Sequence, residues 1–248
     1  MPPRYPSLRM PPLALAGVGA LDASIDEILA ALARALVPGS FGIEGQVWLS
    51  ADGQLVVHHD ATVRVGLRRR ALSELRRSEL PDHVVSLERL LDACGADAHV
   101  VVSAGDDATA AAVAERAGAT AGRVWLRGDD WRQVAGWRSL SSEVGLVEAT
   151  RLRRLTPGPE RHASVLAGAG IDAVQLPEAD WTAGLTTLFH RFGRLAFAGP
   201  AAHRRQLDAL LDMGVDAVSS DQVERLVEAL SAPTRPPTAG SGRSAATP

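Results

Sequence analysis

The chain has no lysine and no asparagine, and all 26 of its basic residues are arginine. Chemistry that needs a lysine amine, as a Schiff base or a point charge on phosphate, is therefore excluded. Cys94 is the single cysteine, so no intrachain disulfide can form, which fits a cytoplasmic location. It closes an apolar helical stretch and reads as a buried structural thiol. No stretch reaches the roughly 18 apolar residues that a membrane span needs. The net charge of −3 gives no strong field of either sign, so a nucleic-acid partner is not implied. Arg4 and Arg9 precede an apolar run at 13–21, a pattern superficially like a secretion signal. The run holds two glycines and follows Pro11-Pro12, and reads better as a short first strand.

What remains is ordinary for a globular fold. The 248 residues, 46% hydrophobic and 22% charged, fit one large domain or two small ones. Short apolar runs at 13–16, 42–48, 99–103, 123–126, 144–147, 173–176, 195–198 and 217–219 are candidate strands. Amphipathic stretches at 25–36, 86–94, 108–117, 160–167, 182–191, 202–213 and 222–230 are candidate helices. Leu211-Asp212-Met213-Gly214-Val215-Asp216-Ala217-Val218 shows the repeated unit: a helix end, a glycine cap and a buried strand. This alternation predicts an α/β fold, a single-domain (β/α)8 TIM barrel over 13–230. Residues 1–12 form an N-terminal extension, and 231–248, rich in Pro, Gly, Ser and Thr, form a tail expected to be disordered. The alternative, a doubly wound sheet, lacks its glycine-rich fingerprint after the first strand. In a barrel the chemistry sits at the carboxyl ends of the strands, which selects the residues to weigh.

The densest motif is 42–60, Gly-Ile-Glu-Gly-Gln-Val-Trp-Leu-Ser-Ala-Asp-Gly-Gln-Leu-Val-Val-His-His-Asp. Asp52-Gly53 is a strong hairpin turn signal. The segment resembles the second strand and following hairpin of glycerophosphodiester phosphodiesterases, where Glu-x-Asp precedes an Asp-Gly turn and a strand ending in His-Asp. Leu210 to Asp221 resembles that family's last helix, glycine turn and final strand, and Val84 to Glu88 its Ile-Pro-Thr-Leu-Glu helix start without the proline. The resemblance covers roughly 13–230 and implies a phosphodiesterase-type barrel. It also implies metal-dependent hydrolysis of glycerol phosphodiesters, with two histidines as acid and base and carboxylates holding Ca²⁺ or Mg²⁺ against the phosphate.

Carried over by position, the family pattern is incomplete. The early His-Arg-Gly falls on Gly17-Val18-Gly19, so the first histidine and the phosphate arginine are missing. Glu-x-Asp falls on Glu44-Gly45-Gln46, keeping one carboxylate and replacing the other by an amide. His-Asp is intact as His59-Asp60, and Glu-x-Lys on the third strand becomes Ser103-Ala104-Gly105. The resemblance thus assigns His59 as the surviving catalytic histidine, Glu44 as a remnant metal ligand, and Asp60, Gln46 and Ser103 as supporting groups. Arg64 stands near the place of an expected arginine, and Arg64 and Arg68 are candidates for phosphate binding.

One acid–base histidine contributes about 10² to 10⁴ in rate, and hard-cation affinity follows the number and charge of oxygen ligands. The losses therefore imply weak or no turnover and at most weakly bound Ca²⁺ or Mg²⁺. Strand alternation puts Glu44, Gln46 and Trp48 on one face, so Glu44, Gln46 and Ser103 could form a metal-free hydrogen-bonded cluster. Further rim candidates are Asp106, Asp107, Gln175, Glu178, Asp180 and Asp221. The arginines at 68–70 and 76–77 read first as a solvated helix face and second as a phosphate receiver. His59 and Asp60 also have plain readings, as a hairpin residue and a turn cap. Three functions compete: a phosphodiesterase, weakly active or with a rebuilt site; a non-catalytic barrel that binds a small phosphorylated ligand or a protein partner; and, last, a different barrel enzyme that only resembles the family. The oligomeric state is left open.

Overall fold

The computed structural model describes residues 7–18 and 24–231. Within them eight parallel strands close into a barrel: β1 Leu13–Gly17, β2 Phe41–Leu49, β3 Ala98–Ser103, β4 Val124–Gly128, β5 Gly145–Ala149, β6 Ala173–Leu176, β7 Leu195–Ala198 and β8 Ala217–Ser220. Closure is direct, since β1 pairs in parallel with β8 (Leu13 with Ala217) and with β2 (Ala14 with Phe41). Eight helices follow the strands: α1 Ile25–Ala35, α2 Leu87–Cys94, α3 Asp107–Ala117, α4 Trp131–Gly136, α5 Pro159–Gly168, α6 Ala183–Arg191, α7 Arg204–Asp212 and α8 Val223–Ser231. The (β/α)8 expectation holds. Of the tail, 232–248 lies outside the described residues, and Ser231 ends α8.

Two layers of packing build this shape. The barrel interior is filled by Leu13, Leu15, Val101, Trp125, Val147, Ala173, Phe197 and Ala217, one or two side chains from almost every strand. A larger cluster lies between strands and helices, where Ile28, Leu32, Val113, Leu166, Phe189, Leu207 and Leu226 meet the outward strand faces. Strands buried on both faces explain why they read as continuous apolar runs. Helix starts are locally encoded: Ser24 and Glu27 form a capping box on α1, and Ser86, Asp106, Asp130 and Thr182 each cap a helix with the side chain. Helix α4 is absent from the sequence expectation because six residues carry too little periodicity; Asp130 is its only local signal.

Between β2 and α2 the chain makes an excursion above the carboxyl end of the barrel. β2 continues past Gln46, its last partner on β3, and pairs antiparallel with Leu55–Val57. The expected hairpin is thus present, with Gly53 at φ +72° in its turn. Thr62–Val65 and Arg68–Ala71 then form a separate two-stranded sheet. Arg68, Arg69 and Arg70 therefore lie on a strand rather than on a helix face. The reason is local: Val63 and Val65 alternate with polar residues and Gly66 reverses the chain at φ +59°. Val56, Val63, Leu72, Leu75, Leu80 and Val84 pack as a small core beneath this excursion.

The described part of the N-terminal extension docks at the opposite, amino-terminal end. Fully buried Asp216 accepts hydrogen bonds from Ser7 Oγ (2.7 Å), the Arg9 backbone N–H (3.0 Å) and the Ala196 N–H (2.7 Å), and pairs with His190 at 2.8 Å. Among the described residues no helix is long and apolar enough to cross a membrane.

Candidate functional site at the barrel mouth

Strand register brings the upper lumen positions together. Ser103 on β3 lies beside Gln46 on β2 and beside Arg127 on β4, while Glu44 lies beside Gly17 on β1. Arg127 is the centre of a side-chain network. Its Nη1 donates to Glu44 Oε2 and to Gln175 Oε1, both at 2.7 Å, and its Nε donates to Ser103 Oγ at 2.7 Å. The Glu44 and Arg127 side chains are only 11% and 14% exposed. Removing two charges from water is costly, and the pair persists because Ser103 and Gln175 complete the donors and acceptors around it.

This arrangement corrects the expected cluster. Glu44 and Ser103 do belong to one hydrogen-bonded network, but Arg127 joins them and Gln46 does not. Gln46 is exposed and makes no side-chain hydrogen bond among the described residues. A guanidinium offers Glu44 a full charge and a fork of donors, which a neutral amide at the edge of the lumen cannot match. The predicted fourth strand stopped one residue short of Arg127; extending its alternation from Trp125 would have placed that arginine in the lumen.

The network floors a cavity of about 700 Å³ at the carboxyl face, lined also by Gln46, Trp48, Gly105, Asp129, Thr150, Arg151 and Arg154. Arg151 and Arg154 are exposed, and neither pairs with a carboxylate among the described residues. Sequence reasoning missed both, although they follow β5 directly, where barrel-mouth residues are expected. A cavity with three guanidinium groups is suited to an oxyanion such as phosphate.

The residues present do not fit a divalent cation. Among the described residues no group of three or more His, Cys, Asp or Glu side chains is arranged to hold a metal ion. Glu44, expected as a remnant ligand, is engaged by Arg127. The place of the first family histidine is also filled: a β-carbon on Gly17 would lie 2.1 Å from Asp221 Oδ1.

His59 and Asp60 stand apart from the network. His59 lines a second cavity of about 500 Å³ with Val18, His58, Arg77, His83 and Arg89. Its ring is 51% exposed, with Nε2 3.2 Å from Asp60 Oδ2, and Asp60 also receives Arg69 Nη2 at 2.9 Å. His58 packs 4.4 Å from His59 and 6.0 Å from His83 between ring centroids. Burial, first, pushes the His58 ring below its ordinary value, and His58 Nδ1 lies against the Asp60 backbone. Arg64 and Arg68 lie on the separate hairpin and line neither cavity.

Four of the other rim acids have structural partners. Asp106 caps α3, Asp107 accepts from Trp137 Nε1 at 2.8 Å, Glu178 from Gln206 Nε2 at 3.0 Å, and Asp180 from the Leu152 N–H at 2.9 Å. His162 pairs with Glu148 at 2.5 Å, buried outside the lumen.

The fold and this polar mouth define a (β/α)8 barrel with an arginine-centred upper layer. Solved structures similar to it are glycerophosphodiester phosphodiesterases. The enzyme from Thermotoga maritima superposes at a TM-score of 0.71 with 17% identity, covering 87% of this chain and 97% of that one. One from Agrobacterium tumefaciens gives 0.67 and 17%, covering 88% and 99%. The Oleispira antarctica phosphodiesterase, solved with its product sn-glycerol-3-phosphate, gives 0.72 and 14%, covering 88% and 96%. These likenesses establish the fold over the whole barrel. In sequence, the chain matches no family model and no curated protein.

Proposed function

We propose that this chain descends from the glycerophosphodiester phosphodiesterase barrels, and that it binds a small phosphorylated ligand at the mouth without hydrolysing it. The observation that carries this reading is Arg127 with its Nη1 2.7 Å from Glu44 Oε2. A side-chain cation neutralises the carboxylate that a divalent metal would need. It can still attract an anion, but it cannot supply an open coordination site that activates a nucleophile or polarises a phosphoryl oxygen. Arg151 and Arg154 add charge at the rim, where a phosphate would be met by forked N–H donors. The surviving His59 lines the other cavity, and among the described residues no histidine lines the mouth cavity.

The barrel is thus read as a pseudoenzyme with a retained anion site. Titration calorimetry with glycerol 3-phosphate tests it. Binding should be unchanged by a chelator and about tenfold weaker in Arg151→Ala/Arg154→Ala. In parallel, glycerophosphocholine should not be turned over with Mg²⁺ or Ca²⁺. Metal-dependent turnover that disappears in His59→Ala would overturn the reading in favour of an active phosphodiesterase.

A further inference from the structure

The hairpin formed by Thr62–Val65 and Arg68–Ala71 serves neither the barrel wall nor the mouth network. Thr62 pairs with Ala71, Val63 with Arg70, Arg64 with Arg69, and Val65 with Arg68. Its base is fixed, because Val63 is 3% exposed within the small core under the excursion. Its tip is Gly66-Leu67, and Leu67 is 92% exposed, the largest value among the described exposed apolar residues. A single exposed leucine needs no explanation; this one sits in an unusual charge setting.

Between 62 and 77 the sequence carries Arg64, Arg68, Arg69, Arg70, Arg76 and Arg77 against Glu74 alone, in a chain whose net charge is −3. Arg64 stands directly across the ladder from Arg69, an unfavourable like-charge pairing unless an anion lies between or beside them. Arg69 is turned toward Asp60 and Thr62. Arg64 and Arg68 have no carboxylate partner among the described residues. The hairpin is therefore a pre-formed finger with an apolar tip, on which Arg69 and Arg70 pair with Asp60 and Glu79 while Arg64 and Arg68 stay unneutralised among the described residues.

That pairing of properties matches an anionic lipid surface. An apolar tip gains by entering the boundary between headgroups and acyl chains, and guanidinium groups gain from lipid phosphates and the negative surface potential. A single-stranded nucleic acid would use the arginines but give Leu67 no role, and the hairpin offers no aromatic ring for base stacking. The finger rises on the carboxyl side of the barrel, where β2 overruns its partner β3.

We propose that the hairpin docks this protein on anionic membranes, with Leu67 as the inserted tip and Arg64 and Arg68 as the phosphate-binding flanks. The test is co-sedimentation of the full chain with phosphatidylcholine vesicles, with and without phosphatidylglycerol. Leu67→Glu and Arg64→Glu/Arg68→Glu change exposed side chains, and thermal melts establish that both variants remain folded. Wild type should bind only the anionic vesicles, more weakly as salt rises. Each variant should bind at least about tenfold more weakly. Failure to bind anionic vesicles would overturn the proposal, as would binding that Leu67→Glu leaves unchanged. Equal binding of a single-stranded oligonucleotide, independent of Leu67, would instead identify a polyanion site and also overturn it.

Discussion

Arg127 on β4 holds Glu44 on β2 across the barrel lumen at 2.7 Å, with both side chains nearly closed off from water. A carboxylate left alone there would lack both solvation and a counter-charge. Arg127→Ala is expected to destabilise the fold by about 2–4 kcal/mol in urea unfolding, because breaking one partner of a buried pair strands the other. Arg127→Ala/Glu44→Gln should recover part of the loss.

Gly17 and Asp221 compete for one volume. A β-carbon at position 17 would approach Asp221 Oδ1 to 2.1 Å, yet Asp221 is exposed and its carboxylate can swing away. Gly17→Ala should therefore cost no more than about 1 kcal/mol, and most of that cost should vanish in Gly17→Ala/Asp221→Ala. A denaturation double-mutant cycle measures the coupling. Additive effects would mean that the two positions do not share space.

His99 makes stability depend on pH. Burial, and then the Arg9 charge, push its ring down to about 4 from 6.5. Arg9 Nη2 lies 2.8 Å from its Nε2, and Trp125 Nε1 lies 3.2 Å from its Nδ1, so a protonated ring would point both N–H groups at donors. The unfolded chain binds this proton more readily than the native one. The contribution is therefore complete above pH 6.5 and is lost as pH falls toward 4. It is on the order of 2–3 kcal/mol. Urea midpoints measured across that window should fall less steeply in His99→Gln than in wild type.

Cys94 should be silent in the native state. Burial pushes its thiol up to about 12, against a smaller opposing effect of Arg123. Thiolate is the reactive form, so a thiol reagent near neutral pH should modify it only at the rate at which the protein opens. Fast modification of folded protein, monitored by absorbance, would contradict this placement.

The strand and helix alternation was legible because most of the β-strands are apolar on both faces and most of the helices announce themselves by a cap or a glycine stop; the short α4, with Asp130 as its only local signal, does not stand out. Glu44, Ser103 and Gln175 were legible as rim residues, since alternation and the barrel rule select them. Arg127 was not, because its importance comes from three partners on three other strands, 24, 48 and 83 residues away. The basic hairpin was misread as a helix face because Gly66-Leu67 is a weak turn signal compared with Asp52-Gly53.

Composition and periodicity alone determined the barrel, the absence of lysine chemistry and the isolation of Cys94, since these depend on residue type and local spacing. The position of His59 relative to Glu44, the partner of Glu44 and the exposure of Leu67 were decided only in three dimensions. Closing the barrel brings side chains from distant strands into one low-dielectric layer, and there the nearest opposite charge, not the nearest residue in sequence, determines what a carboxylate does.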